Sequence, residues 1–281
     1  MDPQQQVIDY YHRLESRLGY TLLLGGTKHF GWYPPGSERL TMRTALTLME
    51  DRLGRALDLP SGALVLDAGC GRGAVALRMA TNFGLRVEGV DILAGDIRRA
   101  QRKAARHRAP NRPRFQVMDY RRLRFPDGHF DGAYTMETLV HAVDSAAVLG
   151  ELHRVLEPGG RLVLFEYSMA PRGELTARQR RVFDAIIAES AMHSLPGFVH
   201  GCFPALLHAA GFRDVAVEDV SERMLPMLRR LAQVFWVPYQ LSRPLRMQRR
   251  LVNALAAVEA YRYQAVWRYN IVTASKPARP T

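Results

Sequence analysis

Residues 63–78 read ALVLDAGCGRGAVALR, an apolar run that ends at an acid and is followed by glycine at every second position. The run at 63–67 is typical of a buried strand, and the residues from Ala74 onward are typical of a helix. Glycines between a strand and a helix let the backbone turn tightly and bring its N–H groups close to a ligand. The stretch therefore predicts a strand, a ligand-facing loop and a helix.

Strand and helix patterns alternate through the centre of the chain. Apolar runs of strand type occupy residues 63–67, 86–90, 114–118, 130–134 and 161–165, with helical segments between them. This alternation favours a parallel sheet covered by helices on both faces. Two later strands, at 215–220 and 265–274, are expected to add an antiparallel hairpin at one edge. The fold class predicted is α/β, with a seven-stranded sheet.

The segments outside this alternation are mostly helical. Helices are predicted at 4–20 and 41–57, before the first strand, and at 175–192, 203–210 and most of 222–259, after the fifth. We expect these helices to cover the carboxyl ends of the strands as a cap. The prediction is a single domain with an N-terminal helical segment (1–58), a ligand-binding core (59–170) and a cap that includes the last two strands (171–281).

Composition narrows the classes of function. The chain has 281 residues and a net charge of +12, from 39 basic and 27 acidic residues. Nearly all the basic residues are arginine, as a GC-rich genome would produce, so the charge is weak evidence for nucleic acid, and no nucleic-acid partner is predicted. The two cysteines, Cys70 and Cys202, form neither a disulfide framework nor a zinc motif. No run is apolar and long enough for a signal peptide or a membrane span, so a cytoplasmic protein is expected.

Three acids mark the ends of the first three predicted strands. Asp67 precedes the glycines, Asp91 ends the second strand, and Asp119 ends the third. The carboxyl ends of parallel strands meet in one crevice, where open α/β sheets bind their ligands. Asp91 is placed to accept hydrogen bonds from a ribose diol.

These motifs resemble those of the S-adenosylmethionine-dependent methyltransferases, which have a Rossmann-like core. The resemblance covers residues 60–170 and includes FPDGHFDGAYTMETLVH and ELHRVLEPGGRLVLFEY. It implies that the loop packs against the methionyl and ribose groups of S-adenosylmethionine, while Asp119 and Tyr120 flank the adenine. The cofactor-binding residues implied are Asp67, Gly69, Gly71, Gly73, Asp91, Ile92, Asp119, Tyr120 and Glu137. A nicotinamide dehydrogenase is disfavoured because the acid precedes the glycines.

Three further stretches resemble the sterol side-chain methyltransferases and their relatives that methylate prenyl chains. They are VIDYYHRLESRLGY with GGTKHFGWYPPG, then YTMETLVHAVD, and then LFEYSMAP with HSLPGF. The resemblance implies C-methylation of a small-molecule isoprenoid, such as a prenyl diphosphate in terpenoid biosynthesis. The chain departs from the sterol enzymes in its length, in LLLGGTK before His29 and in its arginine-rich cap. An O- or C-methyltransferase of a phenol or quinone stays an alternative, as does a non-catalytic cofactor- or RNA-binding protein.

Alkene methylation explains the residue types. Attack by an alkene on a sulfonium methyl leaves a carbocation, which aromatic faces stabilise and a carboxylate can deprotonate. The candidate catalytic residues are Glu166 first, then Glu137 with His141, and Tyr167. The candidate acceptor-binding residues are Tyr10, His29, Trp32, Tyr33, Arg178 and Arg181.

Each candidate also has a structural interpretation. Glu166 can cap a helix or pair with an arginine, His141 can be a hydrogen-bonded loop residue, and the aromatic pairs can be core packing. The two arginines would hold a diphosphate, and Mg²⁺ is expected only with such an acceptor, since no acidic metal motif occurs. Oligomeric state, including a homo-oligomer, is left open.

Overall fold

The computed structural model describes residues 2–13, 27–107, 111–242 and 251–278. Its strands are β1 Leu64–Ala68, β2 Arg86–Asp91, β3 Arg114–Val117, β4 Phe130–Met136, β5 Leu156–Met169, β6 Arg213–Asp219 and β7 Trp267–Ser275. Its α-helices are α1 Pro3–His12, α2 Met42–Leu57, α3 Ala74–Asn82, α4 Ala94–Arg106, α5 Ser145–Val155, α6 Ala177–Glu189, α7 Phe203–Ala209, α8 Ser221–Ser242 and α9 Val252–Arg262.

The strands form one sheet in the order β3-β2-β1-β4-β5-β7-β6. Strands β1 to β5 are parallel, and β7 is antiparallel to both β5 and β6. The predicted α/β class, the seven strands and the antiparallel edge are therefore confirmed. No helix in the described ranges is long and apolar enough to cross a bilayer.

Several boundaries differ from the predicted ones. Strand β5 extends beyond the predicted 161–165 because β7 pairs with it as far as Met169, opposite Trp267. The predicted cap helix at 222–259 is divided into α8 and α9, and residues 243–250 lie outside the described part. The first helix is described only to His12, so the predicted residues 14–20 also lie outside it.

The central strands of the sheet are buried on both faces, while the edge strands β3 and β6 are largely exposed. Val65, Leu66 and Ala68 of β1 are buried, as expected for a central parallel strand. Helix α2, which packs nearby, begins after Thr41, whose side chain accepts a hydrogen bond from the Thr44 N–H at 3.1 Å. Burial of both faces leaves the edge formed by the strands' carboxyl ends as the place for a ligand.

That edge contains a topological switch point. Strand β1 pairs with β2 on one side and β4 on the other, so the chain leaves β1 and β4 in opposite directions and opens a crevice. The segment at 29–33 is fixed above it. Trp32 N–H donates to the Ala45 carbonyl, and Tyr33 N–H donates to the Arg223 carbonyl, both at 2.8 Å. Backbone hydrogen bonds therefore tie the segment to both α2 and α8.

Candidate active site

Two adjoining cavities lie at the switch point. The loop cavity, beside the glycine loop, has a volume of about 100 Å³. The apolar cavity, beneath α1, α6, α8 and α9, has a volume of about 190 Å³. Their walls share Tyr11, Lys28, His29, Glu137 and His141. The two cavities therefore adjoin along these side chains.

The loop cavity brings together most of the residues predicted to bind the cofactor. Its lining includes Asp67, Gly69, Gly71, Asp91, Ile92, Asp119, Tyr120 and Glu137. Gly73 lies behind this surface, where an added Cβ would come within 2.6 Å of the Phe115 ring. Gly71 has a φ of +50°, and an added Cβ would meet no protein atom within 4 Å. The open space beside Gly71 is thus the cavity itself.

The acids of the loop cavity differ in how they are bonded. Asp67 is buried, and its Oδ2 has no hydrogen-bond partner in the described residues. Burial raises its pKa to about 7. Asp91 accepts hydrogen bonds from Gly71 N–H at 2.9 Å and Leu93 N–H at 2.8 Å, one on each oxygen. A carboxylate oxygen has a second lone pair, so Asp91 retains acceptor capacity for a diol.

Helix α1 closes one side of the loop cavity. Gln4 of α1 donates to Asp119 at 3.1 Å and accepts from Arg121 at 2.8 Å. Burial opposes ionisation of Asp119, but hydrogen bonds from Arg121 hold its pKa below the usual range. Tyr120 donates its hydroxyl to the Thr138 carbonyl at 3.1 Å, which fixes its ring in the wall. Gln4 was not anticipated from the sequence.

The apolar cavity is lined mainly by hydrocarbon and aromatic side chains. These include Tyr10, Phe30, Tyr167, Met169, Phe183, Ile186, Leu228, Phe235 and Trp267. Polar groups are few, and Tyr10 donates its hydroxyl to Asn253 at 2.9 Å. Such a surface favours a largely apolar molecule held at a small number of polar points.

Glu137 lies on the wall shared by the two cavities, and its carboxylate accepts three hydrogen bonds. Its Oε1 accepts from Phe30 N–H at 2.6 Å and from the Tyr269 hydroxyl at 2.8 Å, and its Oε2 accepts from the Tyr167 hydroxyl. Burial raises its pKa, while the hydrogen bond from Tyr167 acts in the opposite direction. Its φ of +57° is a strained backbone conformation for this residue type. Strain of this kind is concentrated at functional sites.

His141 and Tyr11 form a second polar pair at the boundary. His141 Nδ1 lies 3.1 Å from the Ala191 carbonyl, so Nδ1 carries the proton and Nε2 accepts from the Tyr11 hydroxyl at 3.0 Å. Burial lowers the pKa of His141 to about 4, so the ring is neutral at pH 7. Sequence reasoning selected Tyr10 and passed over Tyr11, which lines both cavities.

The chain is similar to a known protein family and to several characterised proteins. A family model described as a methyltransferase domain matches residues 65–160. The S-adenosyl-L-methionine-dependent Diels-Alderase iccD of Talaromyces variabilis is 37% identical, over 98% of this chain and 96% of that protein. The 27-O-demethylrifamycin SV methyltransferase of Amycolatopsis mediterranei (strain S699) is 34% identical, over 76% of each chain.

The chain belongs to the S-adenosylmethionine-dependent methyltransferase family. The predicted family is therefore confirmed, and with it the enzyme class. The methyltransferase also shares its fold with a geranyl diphosphate C-methyltransferase from Streptomyces coelicolor A3(2), at a TM-score of 0.74 and 21% identity, over 98% of both chains.

The loop cavity of this methyltransferase fits S-adenosylmethionine. Asp67 Oδ2 lacks a partner and is suited to an ammonium group, and the cradle at Gly71 leaves the backbone open to close approach. Asp91 can accept the ribose hydroxyls, and the Tyr120 ring offers a face for the adenine. Among the described residues, no group of three or more His, Cys, Asp or Glu side chains is arranged to hold a metal ion.

Replacing Asp91 by alanine is expected to weaken binding of S-adenosylmethionine and S-adenosylhomocysteine by roughly 1–3 kcal/mol, because buried hydroxyls would lose their acceptor. Isothermal titration calorimetry measures both affinities. Asp184→Ala is the control, because Asp184 is an exposed residue of α6 that binds Arg172 and lines neither cavity. Equal affinities in the Asp91 variant and the wild type would contradict the ribose assignment.

Glu166 does not lie where the sequence interpretation placed it. It is fully buried and lines neither cavity. Its Oε1 accepts from Leu139 N–H at 2.7 Å, Thr138 N–H at 3.0 Å and the Thr135 hydroxyl at 3.1 Å. The structure thus corresponds to the capping alternative, in which Glu166 holds the loop after β4. Adjacent residues of a strand face opposite sides of the sheet, and here Tyr167 faces the apolar cavity.

We expect Glu166→Gln to keep turnover within about threefold of the wild type. Burial raises the pKa of Glu166 to about 8, so the folded protein holds this proton more tightly than the unfolded chain does. Stability from this group is therefore lost as pH rises from about 5 to 8. Glutamine stays neutral, so the Tm of the variant should fall less than that of the wild type over this range. A turnover loss of about 100-fold would indicate that Glu166 is the residue that removes the proton.

Four acceptor-site candidates lie away from the apolar cavity. The Arg52 guanidinium carbon lies over the Trp32 ring, 5.6 Å from the ring centroid. Tyr33 is buried against α2 and α8. Their neighbours His29 and Phe30 reach the cavity instead. Arg178 and Arg181 are exposed on α6 and line neither cavity, because the inward face of α6 consists of apolar residues such as Phe183.

Proposed function

We propose that this methyltransferase methylates an alkene carbon of a neutral, largely apolar isoprenoid, and that Glu137 removes a proton afterwards. The observation that carries the proposal is the position of the Glu137 carboxylate on the wall shared by both cavities. Aromatic rings surround this carboxylate. The Tyr167 ring centroid lies 5.3 Å from that of Tyr269 and 6.3 Å from that of Phe30.

When bound, S-adenosylmethionine supplies an electrophilic methyl group on a positively charged sulfur. The apolar cavity excludes water and aligns the alkene with that methyl group, which matters because an alkene is a weak nucleophile. As the alkene formed the new C–C bond, the methyl–sulfur bond would break with its electron pair left on sulfur, and the adjacent acceptor carbon would become cationic. The rings of Tyr167 and Phe30 stabilise this charge, and Glu137 takes a proton from the neighbouring carbon to restore an alkene.

The lining supports a neutral acceptor more than a diphosphate. Of the described residues, the basic ones in the apolar cavity are Lys28 and the histidines His29 and His141. Lys28 donates to Asp96 at 2.8 Å, and the described part of the cavity lining contains no arginine. A diphosphate needs several cationic or N–H donors. With a neutral acceptor, no role is proposed for Mg²⁺.

A second candidate is an intramolecular [4+2] cycloaddition of a polyene, with the cofactor retained. The observation that favours it is the 37% identity to the Diels-Alderase iccD along nearly the whole of both chains. An apolar cavity that folds a flexible polyene would serve this reaction through orientation alone.

Labelled S-adenosylmethionine separates these candidates. The protein is incubated with methyl-labelled cofactor and with geranyl, farnesyl, sterol, phenolic and conjugated polyene compounds. Label in a carbon-methylated alkene supports the proposal. Label confined to phenolic methyl ethers would overturn it. A cyclised polyene of unchanged mass, formed equally well with S-adenosylhomocysteine, would establish the cycloaddition instead.

A further inference from the structure

A buried histidine lies between the two cavities and the helix α2. His29 is 3% exposed and lines both cavities. Its Nδ1 lies 2.9 Å from the Phe30 carbonyl oxygen, and its Nε2 lies 3.4 Å from Glu50 Oε1. A carbonyl oxygen and an ionised carboxylate can only accept hydrogen bonds. Both ring nitrogens must therefore donate.

Glu50 also faces a cation on the side away from His29. Its Oε2 lies 3.6 Å from the Arg78 guanidinium, which also binds Asp51 through two hydrogen bonds of 2.9 Å. A carboxylate buried against an imidazole ring favours the charged form of that ring. Burial alone would lower the pKa of His29, but the hydrogen bond that His29 donates to Glu50 and the negative charge of Glu50 raise it.

We propose that His29 is an imidazolium in the folded protein, held by Glu50, and that this buried cation keeps Glu137 ionised beside the acceptor. The second part rests on the proposed function of Glu137. The side chains of His29 and Glu137 are linked through the backbone of Phe30. The Phe30 carbonyl accepts a hydrogen bond from His29, and the Phe30 N–H donates one to Glu137. His29 is thus a positioning residue that acts on the base.

The other ionisable groups near His29 and Glu137 do not supply the positive charge that keeps Glu137 ionised. Tyr167 and Tyr269 face Glu137 as neutral donors, and Glu166 of β5 is neutral at pH 7 because burial raises its pKa to about 8. Asp67 and Glu50 face His29 as acids. Tyr11, near Glu137, is also a neutral phenol because burial raises its pKa. The nearby cation Lys28 is bound to Asp96.

Histidine-selective ¹⁵N and ¹³C labelling of the full chain tests the charge directly. The protein has nine histidines, and the His29 signal is assigned by its loss in His29→Asn, or by contacts to Phe30 protons if that variant does not fold. We expect both ring nitrogens to keep doubly protonated shifts from pH 6 to 8 with S-adenosylhomocysteine bound. A neutral tautomer across this range would overturn the proposal.

Glu50→Gln tests the link to Glu137. With the carboxylate removed, His29 should become neutral, and the acid limb of kcat/KM should move to higher pH. We expect a further loss of roughly tenfold at pH 6 relative to the plateau, the effect of one unit in the pKa of the base. Glu218→Gln is the control, because it removes an exposed acid that pairs with Arg52.

Two results separate failure of this inference from failure of the proposed function. A neutral His29 in Glu50→Gln with an unmoved acid limb would overturn the link between His29 and Glu137. Normal turnover in a Glu137 variant would overturn the proposed function and this link with it, while the imidazole spectra would still decide the charge of His29.

Discussion

Replacing Glu137 by glutamine is expected to lower turnover at least about 100-fold, with cofactor affinity largely kept. Glutamine has the same shape, and its oxygen can still accept from Phe30 N–H. It cannot take a proton or offset the charge of a carbocation. The loss should therefore appear in kcat, because the affected interaction exists mainly in the transition state. Single-turnover assays with labelled cofactor measure it.

The products of Glu137→Gln carry further information. A cation that is not deprotonated normally should leave as altered alkene isomers or as an alcohol formed by water. Glu218→Gln controls for the loss of a carboxylate, and Glu166→Gln separates the base from the loop support. If Glu137→Gln gave the wild-type rate and product, proton removal by this residue would be excluded.

The sequence predicted the sheet and the loop cavity because both depend on local patterns. Apolar runs specify strands, and glycines with acids at strand ends specify the crevice between them. Asp67, Gly71, Asp91 and Tyr120 all lie where this reasoning placed them in the fold.

The acceptor side depends on contacts between distant parts of the chain. Tyr269 reaches Glu137 only because β7 pairs antiparallel with β5, which places it opposite Tyr167. The register of such a pairing is not visible in one sequence. The error over Glu166 had a local signal, because Glu166 and Tyr167 are adjacent in a strand and cannot face the same side. Phe30 was missed in part because its backbone N–H, which no side-chain pattern signals, donates to Glu137.

The second large effect is expected at Gly71. An added Cβ would enter the loop cavity, where the cofactor must approach the backbone closely. We expect Gly71→Ala to weaken binding of S-adenosylmethionine and S-adenosylhomocysteine by about 100-fold, or ~2.7 kcal/mol. The fold should survive, because the Cβ would meet no protein atom within 4 Å. Calorimetric titration measures the affinity, and thermal unfolding measures the stability.

A matched substitution separates lost space from backbone strain. Gly62 also has a positive φ, of +90°, and an added Cβ there would likewise meet nothing within 4 Å, but Gly62 lies outside the loop cavity. Alanine at either position should cost roughly 1–2 kcal/mol of stability, the penalty of a left-handed conformation. Only Gly71→Ala should also lose the cofactor. Wild-type cofactor affinity in both variants would mean that the loop does not contact the cofactor at Gly71. A comparable loss of affinity in both would assign the effect to strain in the fold.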